Sequence, residues 1–342
     1  MRKVLRYWWN IVLWGWPIVA AAQEVRFSQF TAAPTHLNPA LSGTVESTTL
    51  NLQTRLQQFG VYTYKTGYLA ATLPLYRDQE ATAPLGGLAL GVMSDLAGEF
   101  NQIKTYQIDL SAAYNLYFNH CGTHLLTFGL QTAFSRTHID YGALTWPSQI
   151  RYNGFAPTGT PSDAYLAGTN VWRFQAGAVW TLDPARKVAS KKYALHLGAA
   201  VSNLNRPNQS WLRGETTRLP LVYKLHGGGT WQINDRYALQ PHFFIIAQPA
   251  VVQYAAGTQL AITLQPAAVR NITLLVGTWY RVADAVVASL GLETEQYAAV
   301  LSYDANASAQ RTGISHQQAL ELSLAYRFIR TPTLKSYPTP LF

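Results

Sequence analysis

The chain has 342 residues and a formal net charge of +9, from 26 Lys+Arg against 17 Asp+Glu. Charged residues are only 13% of it and aromatic residues also 13%, a balance that suits a protein facing lipid better than a soluble secreted domain. The cations form no Lys/Arg cluster, which excludes a nucleic-acid surface, and a single cysteine, Cys121, excludes an intrachain disulfide and a Cys-based metal site.

Arg2, Lys3 and Arg6 precede the apolar run Tyr7–Val19, and Ala20-Ala21-Ala22 supplies the small residues a signal peptidase reads. Residues 1–22 are therefore expected to be a secretory signal peptide cleaved before Gln23. Pro17 interrupts the run, which is shorter than the roughly 20 residues a membrane-spanning helix needs. Residues 23–47 do not alternate and carry Pro34, Asn38-Pro39 and Gly43. They read as an irregular segment placed in or under a lumen, as a plug.

From residue 48 to 329 the period changes to two. The pattern is clearest where Ile108, Leu110, Tyr114, Leu116 and Phe118 alternate with Asp109, Ser111, Asn115 and Tyr117. After a short break it returns with Leu126, Phe128, Leu130 and Phe134 on one face, so the two runs predict a long antiparallel hairpin. Soluble strands run about 5–6 residues, whereas about 9–11 tilted residues cross a bilayer. These runs have the second length. Fourteen such strands are expected, starting near Thr48, Tyr62, Leu85, Ile103, Leu126, Trp172, Tyr193, Leu221, Tyr237, Ala256, Ile272, Ala285, Tyr297 and Leu320. Two long loops interrupt them, about 140–170 and 203–217. The fold predicted is an all-β transmembrane antiparallel barrel of about 14 strands, closed because lipid tolerates no open sheet edge. An even count puts both termini on one side, the periplasm. Residues 330–342 form a Pro-containing C-terminal tail.

No constellation for catalysis, cofactor binding or metal binding stands out. His196 and His226 fall on lumen faces, His120 and His124 flank a turn, and His316 lies in a loop. No Gly-x-Ser-x-Gly turn or phosphate loop occurs, so no enzyme is expected and no cofactor. Asp304 and Asn306 read as turn residues. Small residues on the polar faces, Gly87, Ala89, Gly91, Gly129, Gly177, Gly198 and Gly228, either line a passage or let a plug approach the wall. Trp146, Tyr152, Phe155, Tyr165 and Trp211 make the long loops aromatic, which suits a partner-binding surface as well as membrane-interface anchoring.

The segment Phe27-Ser28-Gln29-Phe30, Pro34 and Leu37-Asn38-Pro39-Ala40 resembles the opening signature of the PorP/SprF family, outer-membrane components of the Bacteroidetes type IX secretion system. Gly87-Leu88-Ala89-Leu90-Gly91 with Ser94-Asp95, Ser202-Asn203-Leu204-Asn205, and Ser302-Tyr303-Asp304 followed by Glu321-Leu322-Ser323-Leu324-Ala325-Tyr326-Arg327-Phe328 continue the likeness in the family's order. After Arg55 the family usually shows Gln-Trp, where this chain has Gln57-Gln58. The resemblance implies a non-enzymatic barrel in the cell outer membrane, in contact with its lipid. Such a barrel would be a platform for secretion or surface anchoring of a large cell-surface protein of gliding-motility or adhesin type. The partners it implies are a secreted surface protein with a C-terminal sorting domain and the periplasmic ring lipoproteins of the secretion machine. The alternative is a channel or FadL-like uptake barrel with an N-terminal plug.

Overall fold

The computed structural model describes residues 27–59, 62–77, 83–118, 123–140, 150–151, 154–155, 168–183, 193–249, 251–265, 272–307 and 318–329. Within them a single antiparallel sheet closes on itself. Its strands are β1 (Thr49–Phe59), β2 (Tyr62–Leu75), β3 (Gly86–Ala97), β4 (Ile103–Tyr117), β5 (His124–Ile139), β6 (Gly168–Leu182), β7 (Tyr193–Ser202), β8 (Val222–Gln232), β9 (Tyr237–Gln248), β10 (Val251–Gln265), β11 (Ile272–Arg281), β12 (Ala285–Glu293), β13 (Tyr297–Asn306) and β14 (Gln318–Arg327). Each pairs with its neighbours in sequence, and β1 pairs with β14 to complete the barrel, with Thr49 opposite Arg327 and Gln58 opposite Gln318. The 14-strand barrel expected from the two-residue period is the barrel observed.

The period sorts side chains in the sense a membrane demands. Leu110 is 53% exposed and its neighbour Asp109 only 1%; the apolar face points outward and the polar face inward. In water this would be an inverted protein, but in hydrocarbon the outward Leu, Ile and Phe keep company with acyl chains while polar groups pair inside. No helix among the described residues is long and apolar enough to cross a membrane. Aromatic side chains gather near strand ends, as where Tyr297, Tyr326 and Phe328 stack with centroids 5.0 Å and 4.6 Å apart.

The strand ends joined by the odd-numbered connections carry the long loops. One is 140–167, in which Ile150–Arg151 pairs with Gly154–Phe155. The other is 203–221, an ordered loop with a bridge between Asn208 and Arg218. Asp304 corrects a reading of the sequence. It lies within β13, not in a turn, and its side chain is buried in the lumen, because the inward phase of the strand reaches it two residues before the strand ends. The leader at 1–22, Cys121, His120, His316 and the tail at 330–342 lie outside the described residues.

Candidate functional site: the segment inside the lumen

The lumen is occupied by the chain's own residues Phe27–Gly43. They form a 3-10 turn (Phe30–Ala32), one α-helical turn (Pro34–Leu37) and a second 3-10 turn (Pro39–Gly43). Pro34 and Pro39 sit in the first turn of their helices, where a missing N–H costs nothing. The Asn38 side chain caps the last turn, its Oδ1 accepting from Ala40 N at 3.0 Å. Helices this short have no stability of their own. What holds them is the barrel wall, and it does so differently at the two ends of the segment.

At one end, Ser28 and Gln29 meet the seam where β1 closes on β14. Arg55 and Glu321 are direct cross-strand partners there and form an ion pair that also includes Asp304, whose Oδ2 is 2.9 Å from Arg55 Nη1. Arg281 adds a second guanidinium, 3.1 Å from the same Asp304 oxygen. Glu321 then accepts two successive backbone N–H groups, from Ser28 at 2.7 Å and from Gln29 at 2.9 Å. The Ser28 hydroxyl donates to Asp304 and accepts from Arg55. The Gln29 side-chain amide is clamped on both sides, donating to Ser302 Oγ at 2.8 Å and accepting from Ser323 Oγ at 2.7 Å, while Gln53 donates to the Gln29 backbone carbonyl at 3.1 Å. Two arginines and two carboxylates are thus neutralised within one buried network, the condition under which buried charge is tolerated.

The middle is apolar. Phe30 packs edge-on against Phe244 at 4.6 Å, in a cluster with Leu37, Val222, Ile246, Trp279 and Val287. Phe27 joins Ala33, Tyr68, Ala70 and Met93. Tyr68 OH pairs with Thr35 Oγ1 at 2.9 Å and donates to Asp109 at 3.2 Å. Carbonyls left open by the short helices find lumen donors: Gln131 reaches Thr35 O, Gln175 reaches Leu37 O and Lys224 reaches His36 O.

At the other end, the wall is built largely of small residues. Gly87, Ala113, Gly129, Gly177 and Ala200 are successive cross-strand partners from β3 to β7, a row of small residues at one level of the lumen. Residues Asn38–Gly43 lie in the groove this row leaves. A Cβ at Gly129 would run into the Ala40 backbone, one at Gly177 into the Asn38 side chain, and one at Gly87 into the Ser42 carbonyl. Asn38 Nδ2 donates to the carbonyls of Ala178 (3.1 Å) and Ala199 (3.2 Å), and Asn115 Nδ2 donates to Gly43 O at 2.8 Å. Of the two uses the sequence allowed for small lumen residues, Gly87, Gly129 and Gly177 serve close approach.

The motif residues Phe27, Ser28, Gln29, Asn38 and Pro39 are therefore brought together as buried contacts. The aromatic loop residues are not. Trp146, Tyr152 and Tyr165 lie outside the described residues, Phe155 is in the short ladder opposite Ile150, and Trp211 is half-buried on the 203–221 loop. His196 and His226 do line the lumen, with His242 beside them, the rings 5.7–6.0 Å apart. No group of His, Cys, Asp or Glu among the described residues is arranged to hold a metal. Sequence reasoning missed Gln53, Arg55, Glu321 and Ser323 as partners of the segment. The available signal was a charged or amide side chain in the inward phase of strands otherwise lined by small residues.

Comparison with known proteins adds a family. The sequence profile described as type IX secretion system membrane protein PorP/SprF matches residues 19–326. No curated protein matches the chain in sequence. Among solved structures the chain is similar to the toluene transporter TbuX of Ralstonia pickettii, with 11% identity and a TM-score of 0.50 over 87% of this chain and 94% of that one. It is also similar to the deltaS2S3 mutant of the monoaromatic hydrocarbon channel TodX, with 10% identity and a TM-score of 0.51 over 86% of this chain and 93% of that one. At these identities the likeness is one of fold, that of outer-membrane barrels.

Proposed function

The chain belongs to the PorP/SprF family of type IX secretion system membrane proteins, and from that premise we propose that it is a non-enzymatic platform in the outer membrane rather than a solute channel. The observation that carries this reading is the segment Phe27–Gly43, wedged over Gly87, Gly129 and Gly177 at one end and hydrogen-bonded to a buried four-charge network at the other. A lumen filled by the protein's own backbone, hydrogen-bonded to the wall at both ends, makes a stiff body, and a stiff body serves as a fixed support for moving or secreted partners. The partners in this reading are a large cell-surface protein of adhesin or gliding type, with a C-terminal sorting domain, at the loop face and periplasmic ring lipoproteins at the face of the short turns. Exposed Leu204 and Leu212 beside Trp211 on the 203–221 loop supply apolar contact area at the loop face.

The test is recovery of partners from the native outer membrane in mild detergent, using a tag at the C-terminus. A large surface protein or ring lipoproteins recovered with the wild type supports the platform. Recovery of neither, together with ohmic conductance of the purified wild-type barrel in planar bilayers, would replace it with the uptake-channel reading.

A further inference from the structure

Two lumen glycines make room for rings and not for the segment. A Cβ at Gly198 would run into the His226 imidazole, and one at Gly228 into that of His242. His196, opposite Gly228 on β7, completes a cluster of three, its ring 6.0 Å from His226 and 5.7 Å from His242. The segment meets this cluster at Asn38, whose Nδ2 lies 3.1 Å from His226 Nε2. The orientation of the Asn38 amide is fixed by its other partners, since Oδ1 accepts from Ala40 N while Nδ2 faces the carbonyls of Ala178 and Ala199. The edge turned to His226 is therefore a donor, and Nε2 must be an acceptor: the ring is neutral, with its proton on Nδ1. The charged and titratable groups that act on His226 are His196 from β7, Lys224 from β8 and His242 from β9, and no carboxylate among the described residues joins them. Strand β6 brings Val179 and the segment Asn38, neither of which titrates.

We infer that this histidine cluster is an acid-sensitive latch on the Asn38–Gly43 end of the segment, which is seated while His226 is neutral and released when it is protonated. A proton on Nε2 sets N–H against N–H at 3.1 Å and places a cation beside Lys224 and two further imidazoles. The ring has little room to turn away, because it already lies against β7 at Gly198. The seated state binds fewer protons than the unseated one, so acid draws the equilibrium toward release. Seating is complete at neutral and alkaline pH and is lost as pH falls through the imidazole range, which for an ordinary ring is centred at about 6.5. At the seam, the side chains that hold Ser28 and Gln29 include no imidazole. Mild acid therefore frees one end of the segment and leaves the other bound, whichever partner the barrel serves.

The experiment uses the full chain in a Cys121→Ser background, refolded in detergent, with dithiodipyridine, a thiol reagent that works in acid, as probe. Ser42→Cys reports the latched end, since Ser42 is 0% exposed, and Leu212→Cys on the exposed loop corrects for the reagent's own pH dependence. The ratio of the two rates should rise about tenfold for each pH unit below neutrality if one proton is taken up, and more steeply if His196 and His242 charge with His226. His226→Gln offers Asn38 an amide oxygen at every pH and should flatten the profile. The double variant His196→Gln with His242→Gln, which keeps His226 and removes its cationic neighbours, should move the rise to lower pH. A flat ratio in the parent chain, or the same rise with His226→Gln, would overturn the latch. So would a rise that coincides with loss of the compact, heat-modifiable band, because that reports unfolding of the barrel. An unmoved profile in the double variant would remove His196 and His242 from the device.

Discussion

The two ends of the lumen segment are held by opposite means. At the seam, Ser28 and Gln29 are read by side chains: Glu321, Asp304, Arg55, Ser302, Ser323 and Gln53 each contribute a hydrogen bond with a defined direction. Across β3 to β7, Pro39–Gly43 is read mainly by close approach, since Gly87, Gly129 and Gly177 let the segment lie against the wall, with Asn115 donating to Gly43 O at its end. The first arrangement selects a sequence, because a different residue at Gln29 leaves buried groups without partners. The second selects a distance, because almost any chain of the right thickness fits a groove of glycines. A segment held in both ways has its register set at one end and its depth at the other.

That contrast can be broken most severely at the seam. Replacing Glu321 with Ala should leave Arg55 with one carboxylate fewer and two backbone N–H groups without an acceptor, and breaking a buried ion pair costs about 3–5 kcal/mol. We expect loss of the compact, heat-modifiable band on gels at a markedly lower temperature, together with an accessible segment. If the thermal midpoint is unchanged, the network does not stabilise the fold. Gly129→Val attacks the other end. Forcing a branched side chain into the Ala40 backbone should cost about 1–3 kcal/mol. Here conductance in planar bilayers should rise because the segment is pushed off the wall, whereas Gly67→Val, at a position with open space around its Cβ, should do nothing.

Smaller changes sharpen the comparison. Gln29→Leu keeps the volume but strips the amide from Ser302 and Ser323, and the expected loss is about 1–3 kcal/mol for buried groups left unpaired. Pro39→Ala, at a place where contact distance matters more than side-chain chemistry, should fall well below that when both variants are titrated with urea; equal losses would erase the distinction between the two ends. Least of all, Tyr68→Phe removes the hydroxyl shared by Thr35 and Asp109, with an expected cost of about 0.5–1.5 kcal/mol read from the same transition.

Much of the fold was legible because lipid imposes a simple rule on strands. Leu88, Leu90 and Val92 had to point out if Gly87, Ala89 and Gly91 pointed in, and the structure follows that division. The motif at Phe27–Pro39 stood out as a break in alternation. Its partners did not, because Ser28 and Glu321 are 293 residues apart and only closure of the ring brings them within 2.7 Å. Asp304 read as a turn residue, like Asn306 at the end of the same alternating run, for the same reason, since nothing local shows that Ser28 and Arg55 lie beside it.

The amino-acid sequence by itself determined the strand number, the outward face of each strand and the irregular stretch before β1, all of which follow from local periodicity and length against a bilayer. Only the tertiary structure decided what the lumen contains. Three glycines far apart in the chain become a single groove, and two charged residues from the first and last strands become one ion pair, only when the sheet has closed. Contacts across a ring depend on which strand comes to lie beside which, and no local pattern encodes that.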